Sequence, residues 1–235
     1  MPRYCLGLSS AAVSVTPAIE LVCFDLGGVL VRICTAWSDL CRAARLEVRG
    51  DSAGELAERS RRELSDAFMR GDLSAAEWLD AMGKALGGLY AAEEIALLHD
   101  AVIIEEYPGI AALIDDLHRA GVATACLSNT NETHWAKLVH RDGARELEGE
   151  PRYPSVRRLG ALHASHVLRL TKPAPDIYRA FEAATGRSGA QILFFDDLEE
   201  NVAAARKVGW RAECIDPAKL TEAQMRRHLV AYGVL

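Results

Sequence analysis

The stretch Ile19-Glu20-Leu21-Val22-Cys23-Phe24-Asp25-Leu26-Gly27-Gly28-Val29-Leu30 runs from an apolar segment into a carboxylate and then into paired glycines. Residues 19–24 read as a buried strand, and the glycines let the backbone turn sharply just beyond Asp25. Three later runs resemble it. Residues 122–127 stop at Ser128, 191–195 stop at Asp196-Asp197, and 211–215 follow a Val208-Gly209-Trp210 turn. Each is short and largely apolar, as strands of a parallel sheet covered on both faces should be. Helical spacing fills the gaps at 110–120, 175–185 and 199–208, each followed by a glycine at the stop position: Gly121, Gly186 and Gly209. Strands alternating with helices predict an α/β fold, a doubly wound parallel sheet with ligands collecting beyond the carboxyl ends of its strands.

From 35 to 105 the pattern changes to helix spacing alone, with segments at 37–46, 52–69, 74–86 and 91–104 and no strand. This block lies between the first strand and the Tyr107-Pro108-Gly109 turn that returns to the sheet, so it reads as an inserted α-helical cap over the strand ends. The expected organisation is a loose extension at 1–18, an α/β core at 19–34 and 106–235, and a helical cap at 35–105. Residues 141–162, rich in arginine, glutamate, glycine and proline, read as a loop or a short helix with a loop.

At 235 residues and 50% hydrophobic content the chain can bury one sizeable core and a smaller appended unit. A formal charge of -6 with scattered arginine pairs gives no footprint for nucleic acid. No apolar run approaches the roughly 20 residues that span a bilayer, and no basic start precedes a long apolar segment. The expectation is a cytoplasmic protein without nucleic-acid or membrane partners. The six cysteines form no CxxC pair and no zinc-like spacing, consistent with reduced, buried thiols.

The polar residues at the strand ends carry the chemistry. Asp25 is placed as a nucleophile on a rigid strand end would be, although an aspartate in a turn has the same local pattern. Leu127-Ser128-Asn129-Thr130-Asn131 puts a hydroxyl and free backbone N–H groups ahead of a helix, a pattern that suits an anion or an ordinary N-cap. Thr171-Lys172-Pro173 supplies a cation on a segment stiffened by Pro173 and Pro175, where a surface lysine is the plain alternative. Asp196-Asp197 is the most telling, because adjacent carboxylates at the end of a buried strand repel each other unless a cation joins them.

Asp25, Ser128, Lys172 and Asp196-Asp197, in this order with a helical insert after the first, resemble the motifs of the haloacid dehalogenase superfamily over nearly all of the chain after residue 18. Phe24-Asp25-Leu26-Gly27, Leu127-Ser128-Asn129-Thr130-Asn131 and Phe194-Phe195-Asp196-Asp197 are most similar to bacterial sugar-phosphate phosphatases that act on glucose 1-phosphate. They are more distantly similar to the phosphatase-like domain of epoxide hydrolases. The resemblance implies a Mg²⁺-dependent phosphohydrolase acting on a small phosphorylated metabolite. In it Asp25 would form an aspartyl-phosphate that water hydrolyses. It further implies Mg²⁺ on the Asp25 carboxylate, the Gly27 carbonyl and Asp197, with Asp196 helping directly or through water. Ser128 and the Asn129 backbone would bind phosphate oxygens, and Lys172 would offset the negative charge around Asp25.

Gly27 departs from the superfamily pattern, in which a second aspartate two residues after the nucleophile acts as general acid and base. The most similar group tolerates glycine there. The leaving group must then take its proton from water or from a cap residue; Arg32, His134 and the cap carboxylates are the candidates. Two other functions stay open. A dehalogenase of the same superfamily works without metal and has no need of the acidic pair, and a catalytically silent member would bind a phosphorylated ligand or a partner through its cap. Trp37, Trp78 and Tyr90 could line a sugar pocket, though aromatics at helical spacing more often pack a core. His134, His140, His163 and His166 show no metal-ligand spacing with cysteine.

Overall fold

A computed structural model describes residues 18–139 and 152–235. The expected extension up to residue 17, His140 and residues 141–151 of the unplaced arginine-rich segment lie outside the described residues. The chain begins with β1 (Leu21–Phe24) and β2 (Val31–Ile33), followed by the helices α1 (Trp37–Ala43), α2 (Glu55–Met69), α3 (Ala75–Ala85) and α4 (Ala92–Asp100). It continues through β3 (Ile103–Glu106), α5 (Ile110–Arg119), β4 (Ala123–Ser128) and α6 (Glu132–Val139). Beyond residues 140–151 come α7 (Pro154–Arg158), β5 (Ala161–Ala164), α8 (Ser165–Leu168) and α9 (Pro175–Thr185). The chain closes with β6 (Ile192–Asp196), α10 (Glu199–Lys207), β7 (Arg211–Cys214) and α11 (Thr221–Ala231).

The main sheet has five strands in the order β5-β4-β1-β6-β7, every pairing parallel. Its register aligns Phe24 with Cys126 on one side and Phe195 on the other, so the ends of β1, β4 and β6 lie within two residues of one another. Side chains alternate between two cores, as a period of two requires. Val22, Phe24, Cys126, Leu193 and Phe195 pack with residues of α5, α7 and α11. Leu21, Cys23, Ala125, Leu127, Ile192 and Phe194 pack with α9, α10 and Trp210. Full burial of a phenylalanine stabilises by about 1.5–3 kcal/mol. Phe194 and Phe195, both at 0% exposure, therefore anchor β6 from its two faces. Gly186, in the left-handed region at φ 66°, ends α9 where a side chain would be strained.

Three strands escape the sequence reading. β5 forms one edge of the sheet and begins at the end of the unplaced 141–162 segment; its residues are mostly half-buried, so Ala161-Leu162-His163-Ala164 lacks the apolar run that marks the inner strands. β2 and β3 form a separate antiparallel pair, with Val31 opposite Glu106 and Cys34 N–H on the Val102 carbonyl at 2.8 Å. The expected helix over 91–104 therefore stops at Asp100, and Ile103 and Ile104 open a strand, which branched side chains favour. The helical insert leaves and returns through this hairpin. α1 to α4 enclose their own cluster, centred on Leu40, Phe68, Trp78, Met82, Tyr90 and Leu98. Among the helix starts, Ser74 caps α3 through a reciprocal pair with Glu77.

α6 carries much of the contact between insert and sheet. Glu132 Oε1 accepts from Ala75 N–H at 2.8 Å, capping α3 from outside, and Lys137 pairs with Asp100 at 2.9 Å. The rings of His99 and His134 stack at 3.8 Å with 8° between planes. Ser165 adds a hydrogen bond of 2.6 Å to the Met69 carbonyl at the end of α2.

Candidate active site

The neighbouring ends of β1, β4 and β6 bring Asp25, Ser128, Asp196 and Asp197 together, and the loop before α9 adds Lys172. Asp25 follows β1 and is pinned by its own N–H on the Phe195 carbonyl at 2.8 Å. Lys172 has a side chain at 0% exposure; its Nζ lies 2.6 Å from Asp196 Oδ2 and 3.0 Å from Asp25 Oδ1. Burying an ammonium is tolerable only with partners of this kind. Burial works against its charge, but Asp196 and Asp25 outweigh it, and the net effect holds Lys172 above the ordinary lysine range.

Asn129 clamps that lysine. Its side chain donates to the Lys172 carbonyl at 2.8 Å and accepts from the Lys172 N–H at 2.9 Å. The sequence reading gave Asn129 only a backbone role. Thr130 is held in turn, its N–H donating to Ser165 Oγ at 2.9 Å. Asn131 Oδ1 accepts the His134 N–H at 3.0 Å and so caps α6. The Ser128–Asn131 turn thus combines a strand-end hydroxyl, a clamp and a helix start.

Asp196 and Asp197 are unlike despite being adjacent. Asp196 is fully buried; Oδ1 accepts from the Leu198 N–H and from Asn201 Nδ2, each at 2.9 Å, while Oδ2 accepts from Lys172. Asn201 was missed by the sequence reading, and its only signal is its place in the first turns of α10. Asp197 is half-buried and points toward Gly28, where an added Cβ would lie 2.3 Å from Asp197 Oδ2. With φ at +71°, Gly28 is required both by the turn and by the approach of that carboxylate.

Three carboxylates thus face one ammonium. Ligand atoms of Asp25, Asp196 and Asp197 all lie within 4.8 Å of one another. Burial pushes the Asp25 carboxyl above its usual range, with Lys172 opposing and Asp196 adding to the shift. Burial, then the charges of Asp25 and Asp196, raise Asp197 to about 7. Asp25 Oδ1 is buried beside Lys172 without a well-aligned donor. An all-oxygen donor set with excess negative charge and an unfilled acceptor fits a hard divalent cation.

A cavity of about 440 Å³ opens from Gly27, Ser128 and Asn129 into the insert, walled largely by apolar side chains that include Trp37 and Trp78. Tyr90 does not line it; its hydroxyl donates to the Glu47 carbonyl at 2.9 Å inside the insert. Of the candidate proton donors, Arg32 lies over the Tyr107 ring and pairs with Glu105 at 3.4 Å. His134 does line the cavity, but its ring nitrogens are engaged by Asn131 at 3.2 Å and by the His99 carbonyl at 2.9 Å. The carboxylates of the insert at the cavity are Glu58 and Asp66, both exposed.

This fold and this strand-end constellation define a haloacid dehalogenase-like hydrolase. Residues 19–209 match the haloacid dehalogenase-like hydrolase family, and the chain belongs to it. Over 234 residues the chain is 26% identical to the phosphatase MT3486 of Mycobacterium tuberculosis (strain CDC 1551 / Oshkosh), covering 93% of this chain and 97% of that protein. Among solved structures it is similar to the HAD-family enzyme BT-2542 of Bacteroides thetaiotaomicron, with a TM-score of 0.71, 18% identity and coverage of 89% and 100% of the two chains. The same enzyme is known in complex with magnesium and inorganic phosphate, a structure matched at a TM-score of 0.68 and 18% identity over 86% of this chain and 96% of that one. A predicted HAD-like family hydrolase of Porphyromonas gingivalis matches with a TM-score of 0.71 and 24% identity over 91% of this chain and 98% of that one. No helix among the described residues is long and apolar enough to cross a membrane.

Proposed function

We propose that the protein is a Mg²⁺-dependent phosphomonoesterase that acts on a small phosphorylated metabolite through an aspartyl-phosphate at Asp25. The observation that carries this is the cluster of Asp25, Asp196 and Asp197 within 4.8 Å around a single buried lysine. That excess of negative charge would make the approach of an anionic phosphoryl group prohibitive without a bound cation. Asp25, the Gly27 carbonyl and Asp197 would hold the ion, which supplies charge neutralisation and polarises the phosphoryl oxygens. Asp196, with its oxygens taken up by Lys172, Leu198 and Asn201, would position Lys172. In the first step an Asp25 oxygen bonds to phosphorus as the bond to the leaving oxygen breaks. In the second, water attacks the same phosphorus and Asp25 is released as carboxylate. Ser128 and the Asn129 N–H would hold phosphoryl oxygens, and Lys172 would hold Asp25 as an anion aimed at phosphorus.

The motif resemblance points toward a sugar phosphate such as glucose 1-phosphate. Gly27 supports a leaving oxygen that bears negative charge well, a property shared by anomeric and phenolic oxygens. The deciding experiment is phosphate release from a generic aryl phosphate with and without Mg²⁺, alongside chloride release from 2-chloropropionate. Magnesium-dependent phosphate release supports the phosphatase. Metal-independent chloride release would establish the dehalogenase instead, and neither product would leave a silent binding member of the fold.

A further inference from the structure

The cavity beyond the phosphate end has walls that do not suit a hexose. Ile33, Trp37, Phe68, Met82 and Leu98 make them apolar, whereas buried sugar hydroxyls each need a hydrogen-bond partner. Of the charged side chains that the insert places on those walls, Arg61 alone is not exposed. It is half-buried, its guanidinium carbon sits 4.2 Å over the Trp37 ring, and it donates to the Ser52 carbonyl. Among the described residues no carboxylate comes within 4.0 Å of it, and burial holds its pKa below the usual arginine range. The other charged side chains of the insert at the cavity behave differently: Glu58, Arg62 and Asp66 are exposed, and Arg62 pairs with Glu58 at 3.1 Å. A guanidinium stacked on an indole, with donors to spare in a largely apolar cavity, matches the planar fork of a carboxylate.

We propose that the substrate's leaving group is a flat apolar body, an aryl group, bearing a carboxylate that pairs with Arg61. This rests on the phosphatase reading and replaces the hexose within it. The acidic leaving oxygen that Gly27 calls for is then a phenolic one.

The test compares kcat/KM at saturating Mg²⁺ for 4-carboxyphenyl phosphate, its methyl ester and glucose 1-phosphate, in wild-type protein and in Arg61→Gln. The ester has the more acidic phenol, so leaving-group chemistry alone favours the ester. Charge-assisted hydrogen bonding to Arg61 should reverse that order, with the carboxylate ahead by about tenfold or more, and glucose 1-phosphate behind both. Arg61→Gln keeps a donor for the Ser52 carbonyl but loses the charge. It should bring the carboxylate-to-ester ratio to about one or below while sparing turnover of the ester. A purely structural Arg61 would lower all three substrates together, and that result would overturn the proposal. So would a wild-type ratio near one, or glucose 1-phosphate as the best substrate. If Arg61→Gln fails to fold, product inhibition of the wild-type enzyme decides: 4-hydroxybenzoate should inhibit more strongly than its methyl ester, and equal inhibition refutes the carboxylate site. Absence of phosphate release from every ester would instead remove the phosphatase reading, and this inference with it.

Discussion

Gly27→Asp asks what this site lacks. In the motif pattern the chain resembles, the second residue after the nucleophile is an aspartate that protonates the leaving oxygen, and the insert's carboxylates at the cavity, Glu58 and Asp66, are exposed. The structure allows the side chain to be restored. Gly27 does not occupy the left-handed region, and the nearest atoms to a Cβ there belong to the Ile33 side chain, its terminal Cδ1 at 3.0 Å. The same change at Gly28 would drive a Cβ to 2.3 Å from Asp197 Oδ2 at φ +71° and is expected to damage the fold. A positioned general acid contributes about a hundredfold to ten-thousandfold, or about 3–5 kcal/mol of barrier, and its contribution shrinks as the leaving group becomes acidic. Wild-type kcat/KM should therefore fall steeply with leaving-group pKa across substituted phenyl and alkyl phosphates at saturating Mg²⁺. Gly27→Asp should flatten that line, improving alkyl phosphates by about a hundredfold or more while leaving nitrophenyl phosphate nearly unchanged. A wild-type slope near zero would show that a proton donor is already in place, and a uniform change on all esters would show that the new carboxylate acts on the metal instead.

Other perturbations separate the remaining roles. Asp25→Asn should keep the fold, checked by circular dichroism, and abolish turnover, since an amide is a poor nucleophile; near-wild-type phosphate release would refute its assignment. Asp197→Ala, or wild-type protein in excess chelator, should lose activity together with the thermal stabilisation that added Mg²⁺ gives, and full activity in chelator would exclude the metal. Lys172→Ala should lower turnover by about a hundredfold or more and destabilise the metal-free protein by about 3–5 kcal/mol, because it leaves two carboxylates facing without a cation; unchanged denaturant midpoints would contradict the buried triad. Acid should loosen the joint between insert and sheet. Burial, then the neighbouring His134, hold His99 down at about 3, and burial also lowers His134, against an ordinary value of 6.5. The unfolded chain takes up these protons first, so stability is full above pH 6.5 and declines as pH falls from there toward 3. Melting temperatures from pH 7.5 to 5 should show the decline, reduced in a folded His99→Gln variant, and an equal slope in the two proteins would place the acid sensitivity elsewhere.

The inner sheet was readable because each of its strands is short, apolar and followed by a polar break, and the helices because glycine ends them. β5 was not, since an edge strand need bury only part of itself: Ala161, Leu162 and His163 are half-exposed, and no alternation or apolar run marks them. β3 was read as helix because Ala91 through Asp100 sets a helical period that nothing in the sequence stops before Val102. Its pairing with β2 depends on a partner some seventy residues earlier in the chain, a distance over which local pattern carries no information.

At the site, the residues were legible and their division of labour was not. Asp196 and Asp197 form one motif in the sequence, yet a strand sends consecutive side chains to opposite sides. Asp196 ends β6 turned into the layer with Lys172 and Asn201, where every oxygen finds a donor. Asp197 leaves the strand on the other side, above Gly28 and toward Asp25, with its pKa raised and no such set of donors. The same alternation explains Asn129, which follows Ser128 at the end of β4. If Ser128 faces the phosphate, its neighbour must turn away, and Asn129 turns onto the backbone of Lys172. On the proposed reading the ends of β4 and β6 would each deliver a pair in which one member meets the ligand and the other fixes Lys172. Asn129→Ala should then behave as a diluted Lys172→Ala, lowering kcat with little effect on KM. Asn129→Asp would keep the acceptor for the Lys172 N–H but replace the donor to the Lys172 carbonyl with a carboxylate that repels it, and it should be the worse of the two.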